Sequence, residues 1–154
     1  MKQERRENSL SVHGREGTGP TFGKPVTIEM QVPFYDVDGL GIVWHGNYFK
    51  YLDVTRTELM RAHRLDVGCL VDLSCRMMVI EAKCRYAYPL RYGDRFTATA
   101  QFVEIQNRIR IAYVLWNLDK DRRTARAHTT LVTTDADGTM LWETPKAIRD
   151  RIHG

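Results

Sequence analysis

The residues with the most chemical potential lie in one stretch, Phe34 to Asp53, which reads FYDVDGLGIVWHGNYFKYLD. Two acids, Asp36 and Asp38, stand one residue apart and are followed by Gly39 and Gly41. Trp44-His45-Gly46-Asn47 then leads into a run rich in aromatic residues. A carboxylate in such a turn can attack an acyl carbon or activate water. Glycines let the chain turn sharply and let a ligand approach the backbone closely. A helix starting near His45–Asn47 would offer unpaired N–H groups and a positive dipole end to a developing oxyanion. One such contact is typically worth ~3–4 kcal/mol of transition-state stabilisation. Acids before glycines also commonly cap turns, so spacing alone leaves a structural and a catalytic role open for both.

Other chemistries fit these residues less well. Asp36, Asp38 and His45 could in principle hold Mg²⁺ or Mn²⁺, but no further acid lies nearby, and no metal is expected. A calcium loop would need an acid where Asn47 stands. Gly39-x-Gly41 lacks the third glycine of a dinucleotide fingerprint, since Trp44 takes that place. No serine or cysteine sits in an elbow that would pair with His45, so His45 is expected to contribute its main-chain N–H. Asp53 falls on the apolar half of the following helix, where burying an acid requires a partner. It could bond a polar group on a substrate, or pair with Arg56 or Arg91. Arg108 and Arg110, beside the Gln106-Asn107 turn, could hold phosphates or line a solvated edge.

The elements that must position these residues follow from periodicity. Val26, Ile28, Met30 and Val32 alternate with polar residues, predicting a strand over 26–34 that weakens at Pro33. Tyr48, Tyr51, Leu52, Thr55, Leu59 and Ala62 predict a helix over 47–63, with Phe49 and Val54 widening its apolar face. Residues 64–75 read as a loop with a short helix. A long strand follows, with Met78, Ile80, Ala82, Cys84 and Tyr86 on one side. Phe96–Phe102, Ile109–Leu115 and Thr124–Thr134 give three more strands. Asp137-Gly138 signals a hairpin into an extra strand over 139–142. Thr144 and Pro145 read as N-cap and first residue of a C-terminal helix. One strand, one long apolar helix and a group of antiparallel strands point to α+β. Such a helix must be wrapped by the sheet, which is the hotdog arrangement: about five antiparallel strands around one long central helix.

The 154 residues suit one domain, expected over 25–154, preceded by a flexible tail over 1–24 rich in glycine and charge. Apolar residues make up 43% and charged residues 27%, an ordinary globular balance. Without an apolar run near the ~20 residues of a membrane helix or a secretory signal, a cytoplasmic protein with no membrane insertion is expected. Cys69, Cys75 and Cys84 form no CxxC pair, which favours reduced thiols. The net charge of +4 is mild and dispersed, compatible with an anionic small ligand and too weak to indicate nucleic acid.

These motifs carry a family likeness. Asp36-Val-Asp38-x-x-Gly41-Ile-Val-Trp44-x-x-Asn47-Tyr48, with Tyr51-Leu52-Asp53 and Arg56, resembles the 4-hydroxybenzoyl-CoA thioesterase family. It is also similar to the acyl-CoA thioesterases of the Tol-Pal-cluster type. Tyr88-Pro89, Gly93-Asp94 and Pro145-Lys146 support the likeness, which covers residues 26–152. The resemblance implies a hotdog domain and hydrolysis of an acyl-CoA without a separate cofactor, in a homodimer or homotetramer with its site at the dimer interface. It makes Asp38 the catalytic carboxylate, as nucleophile or general base, and leaves Asp36 to shape the turn. It makes His45 the residue whose backbone N–H polarises the thioester carbonyl. Gly41, Trp44, Asn47, Tyr48 and Asp53 would line the substrate, Asp53 matching a position that binds a ring hydroxyl. Arg108 matches a CoA-phosphate contact, with Arg110 beside it, while Gln106 and Asn107 replace basic residues there. Trp44 and Asp53 follow the aromatic branch and His45 the other, so the acyl group could be aromatic or aliphatic. Two alternatives use the same scaffold: an acyl-thioester hydratase or dehydratase with His45 as acid/base, and a non-catalytic acyl-CoA-binding protein.

Overall fold

The computed structural model describes residues 19–154. The expected tail lies outside the described residues except for its last few, and these already enter the domain, because β1 spans Phe22–Gln31. Pro25 hid this start. The strand takes it at a register irregularity between Phe22 and Val26, on an edge where a missing N–H is tolerated. Four more strands follow: β2 (Cys75–Tyr86), β3 (Arg95–Glu104), β4 (Ile109–Asn117) and β5 (Arg122–Asp135). They form one antiparallel sheet in the order β1-β3-β4-β5-β2. Three helices complete the fold: α1 (Asn47–Ala62), α2 (Val67–Asp72) and α3 (Lys146–His153).

The sheet's inner face carries Phe96, Phe102, Ile111 and Leu115, all fully buried. Ala98, Ala100 and Ala125 on the same face have almost no side-chain volume, which leaves room for a helix to lie close. Tyr48, Tyr51, Leu52, Thr55 and Leu59 of α1 fill that room, as the helical period requires. This is the hotdog fold expected from the element order, with α1 as the long helix. Val54 is the exception on α1: it is exposed, so the apolar face is narrower than expected.

Two local expectations change. In β2 the register shifts between Val79 and Glu81, so Met77 and Val79 share the inner face with Ala82 and Cys84. An extra residue in a bulged strand reverses the alternation before it, and Met78 and Ile80 are exposed instead. The expected strand over 139–142 is one bridge, Met140 to Thr134. Nor does Thr144 cap α3. Its N–H donates to the Gln106 carbonyl at 2.8 Å, its hydroxyl is buried without a partner among the described residues, and Pro145 takes the cap position.

Candidate active site

A single-turn 3-10 helix, Phe34–Asp36, follows β1. The chain then makes a tight hairpin whose arms meet at the Val37–Val43 bridge. At its tip the Asp38 N–H donates to the Ile42 carbonyl at 2.9 Å and the Gly41 N–H to the Asp38 carbonyl at 3.0 Å. Gly41 has φ +78°, a conformation that side chains disfavour. The half-buried Asp38 carboxylate accepts the Leu40 N–H on Oδ1 at 2.8 Å. Its Oδ2 makes no hydrogen bond among the described residues.

Asp36 has the opposite environment. It is 2% exposed, and its carboxylate accepts Tyr51 Oη on Oδ2 at 2.6 Å and Lys50 Nζ on Oδ1. Its carbonyl accepts the Trp44 N–H at 3.0 Å and Asn47 Nδ2 at 2.9 Å. Asp36 therefore rivets the hairpin to the first turns of α1, with both carboxylate oxygens engaged. Asn47 belongs to this clamp. Tyr48 is buried, and its hydroxyl accepts the Leu90 N–H at 3.1 Å, so both side chains act on the turn's position.

α1 opens beside the hairpin. The His45 carbonyl accepts Tyr86 Oη at 2.7 Å, which ties the helix start to β2. The N–H groups of His45 and Gly46 make no hydrogen bond among the described residues, which leaves two donors at the positive end of α1. The exposed His45 imidazole stacks obliquely on Trp44 at 5.0 Å and makes no hydrogen bond among the described residues. Gly46 lies under the Trp44 indole.

Asp38, Gly41, Trp44, His45, Asn47 and Tyr48 are thus gathered into one hairpin–helix junction. Asp53 lies further along α1 and is 65% exposed, although it falls on the apolar half of the helix. Of its two candidate partners it takes Arg56, at 2.6 Å. It lines an open groove of about 460 Å³ with Phe49, Leu52, Val79, Ala82 and Thr129. Arg108 pairs with both carboxylate oxygens of Glu104 at 3.0 Å. Arg110, on the outer sheet face, meets His128 at 2.9 Å. Within one chain neither arginine contacts the junction. No three His, Cys, Asp or Glu side chains cluster to hold a metal ion among the described residues. The sequence did not single out Lys50, Tyr51 and Tyr86 as shapers of the site. Lys50 on the apolar half of a helix was the one available hint, and Tyr86 acts across 41 residues of chain.

Solved structures share this architecture. A hypothetical protein from Aquifex aeolicus is 26% identical, with a TM-score of 0.74 over 82% of this chain and 98% of its own. A variant of 4-hydroxybenzoyl-CoA thioesterase bound to 4-hydroxybenzoyl-CoA gives 0.75 at 18% identity over 84% and 99%. A 1,4-dihydroxy-2-naphthoyl-CoA thioesterase from Synechocystis gives 0.73 at 18% identity over 84% and 96%. At that identity the likeness of these two concerns the fold. The family model of the thioesterase-like superfamily matches residues 32–152. That span takes in the hairpin, α1 and every strand after β1, and the chain belongs to the thioesterase-like superfamily.

Proposed function

We propose that the protein is an acyl-CoA thioesterase that acts as a homodimer, with Asp38 as its catalytic carboxylate. The observation that carries this is the contrast between the two acids. Asp36 is consumed by Lys50 and Tyr51, whereas Asp38 Oδ2 has no hydrogen bond among the described residues, in a hairpin that leads into a helix start with two N–H groups likewise unbonded. As nucleophile, Oδ2 attacks the thioester carbon, the carbonyl oxygen takes the negative charge, and the C–S bond breaks to release CoA thiolate. Water then hydrolyses the mixed anhydride to the free acid and restores the carboxylate. As general base, Oδ2 instead takes a proton from the water that attacks the same carbon. In either course the His45 N–H polarises the thioester carbonyl.

The acyl group occupies the groove beside Asp53, and its class is aromatic, as in 4-hydroxybenzoyl-CoA, or short to medium aliphatic. Arg108 and Arg110 would meet CoA phosphates by exchanging Glu104 and His128 for them. The enzyme is cytoplasmic, and among the described residues no helix is long and apolar enough to cross a membrane. The test is thiol release from a panel of aromatic, short and long aliphatic acyl-CoAs. Asp38→Asn should lose at least ~10² in kcat, while His45→Ala, which keeps its N–H, should lose far less. Near-full activity in Asp38→Asn would sink the mechanism, and abolition by His45→Ala would favour a hydratase.

A further inference from the structure

Two cavities lie end to end along the side of α1 that faces β2. The first, about 460 Å³, is the groove beside Asp53. Its near end is bounded by Lys50, the residue that pairs with Asp36, so it starts at the hairpin–helix junction. The second, about 420 Å³, is open like the first; Met60, Leu65, Leu70, Met77 and Leu131 give it an apolar side, and Arg61 and Asp66 stand on its polar side. Arg56 and Val79 are the residues common to both linings. One projects from the helix and the other from the bulged strand, so together they partition what would otherwise be one continuous groove.

The partition is held in place. Arg56 is only 20% exposed, is gripped by the Asp53 carboxylate at 2.6 Å, and also meets the buried Tyr113 phenol. Tyr113 in turn bonds Thr129 at 2.9 Å in the floor of the first cavity. To clear the way into the second cavity, the guanidinium must leave Asp53 and its place between the two grooves. An apolar chain filling the first cavity therefore meets a fixed, charged end wall.

We infer that Arg56, locked by Asp53, is the length stop of the acyl groove and restricts the protein to acyl groups that fit the first cavity. Longer alkyl chains must displace the ion pair before the second cavity can receive them. This rests on the acyl-CoA reading of the groove, and it gives Asp53 a second role, as the residue that holds the stop.

The experiment uses straight-chain acyl-CoAs from butyryl to palmitoyl, read in two ways. Thiol release gives kcat/KM against chain length for wild type, Arg56→Leu and Asp53→Asn. Titration calorimetry gives affinity against chain length for Asp38→Asn and for Asp38→Asn/Arg56→Leu, which needs no turnover. The expected result is a sharp decline beyond a short length in wild type. Arg56→Leu should raise the ratio of long- to short-chain kcat/KM by about tenfold or more, since each added methylene in an apolar pocket changes discrimination on that scale. Asp53→Asn, which keeps the arginine but loosens it, should shift the ratio in the same direction by less. Length profiles that stay parallel to wild type in both variants would overturn the stop, as would wild type accepting palmitoyl-CoA as well as butyryl-CoA. A cut-off that moves in calorimetry without thiol release from any substrate would uphold the stop and remove the thioesterase reading.

Discussion

The Tyr51 hydroxyl lies 2.6 Å from Oδ2 of Asp36, and both residues are almost wholly buried. This bond joins a turn of the hairpin to the second turn of α1, so the position of Asp38 depends on it. Burial, with the Asp36 carboxylate at its hydroxyl, holds the Tyr51 phenol well above its ordinary value of 10.0. Burial likewise pushes the Tyr113 phenol up to about 12. A phenol whose folded-state pKa is raised contributes stability that is fully present below 10 and is lost as pH rises beyond it.

Tyr51→Phe should therefore cost about 1–3 kcal/mol at neutral pH, because Asp36 keeps Lys50 but loses a buried donor. Denaturant unfolding measures this. Above pH 10 the wild type should lose stability as the unfolded chain releases the phenolic proton, by up to about 1.4 kcal/mol per pH unit for each such group. The variant should show a shallower slope by one group. Equal alkaline slopes in the two proteins would mean that folding does not raise the Tyr51 phenol.

A second prediction concerns the helix start. A Cβ placed on Gly46 would lie 2.2 Å from Cζ3 and 2.4 Å from Cη2 of Trp44. Trp44 is half exposed, so it can swing outward, and Gly46 already has helical angles (φ −65°, ψ −27°) that alanine adopts without strain. Gly46→Ala should leave the melting temperature near that of wild type while moving the indole off the mouth of the site. Trp44 emission should shift, isolated by comparison with Gly46→Ala/Trp44→Phe, and KM for acyl-CoA should rise more than kcat falls. Unchanged emission and KM would show that Trp44 does not cover the substrate.

How far the sequence foretold this arrangement depends on the range of the forces involved. β3 and β4 were legible because each buries one face against α1, so Phe96–Phe102 and Ile109–Leu115 alternate cleanly. α1 was legible for the same reason at period 3.6. The register of β2 was not, since a bulge at Ile80 leaves no mark in composition. Asp36 and Asp38 look alike locally, both acids ahead of glycines. What separates them is Lys50 and Tyr51, 14 and 15 residues beyond Asp36, reaching back to it and not to Asp38. For Asp53 the sequence left open a substrate contact or a pair with Arg56 or Arg91; Arg56, less than one turn further along the helix, takes it.

The last prediction follows from the outer edge of β2. That strand ends the sheet, pairing with β5 on one side alone, and it exposes Met78, Val79 and Ile80. An apolar strand with one unpaired edge is a ready template for a second strand. In the proposed homodimer, β2 meets its counterpart there and the groove beside Asp53 abuts the partner. Wild type should then sediment as a dimer, or as a dimer of dimers, at micromolar concentration. Met78→Glu/Ile80→Glu places like charges across the pairing line and should shift the protein toward monomer. Because neither residue faces the inner side of the sheet, the isolated chain should keep its far-ultraviolet circular dichroism. Thiol release should decline in step with the dimer fraction as the protein is diluted. A wild-type monomer with full activity would show that the edge is closed by something other than a second copy.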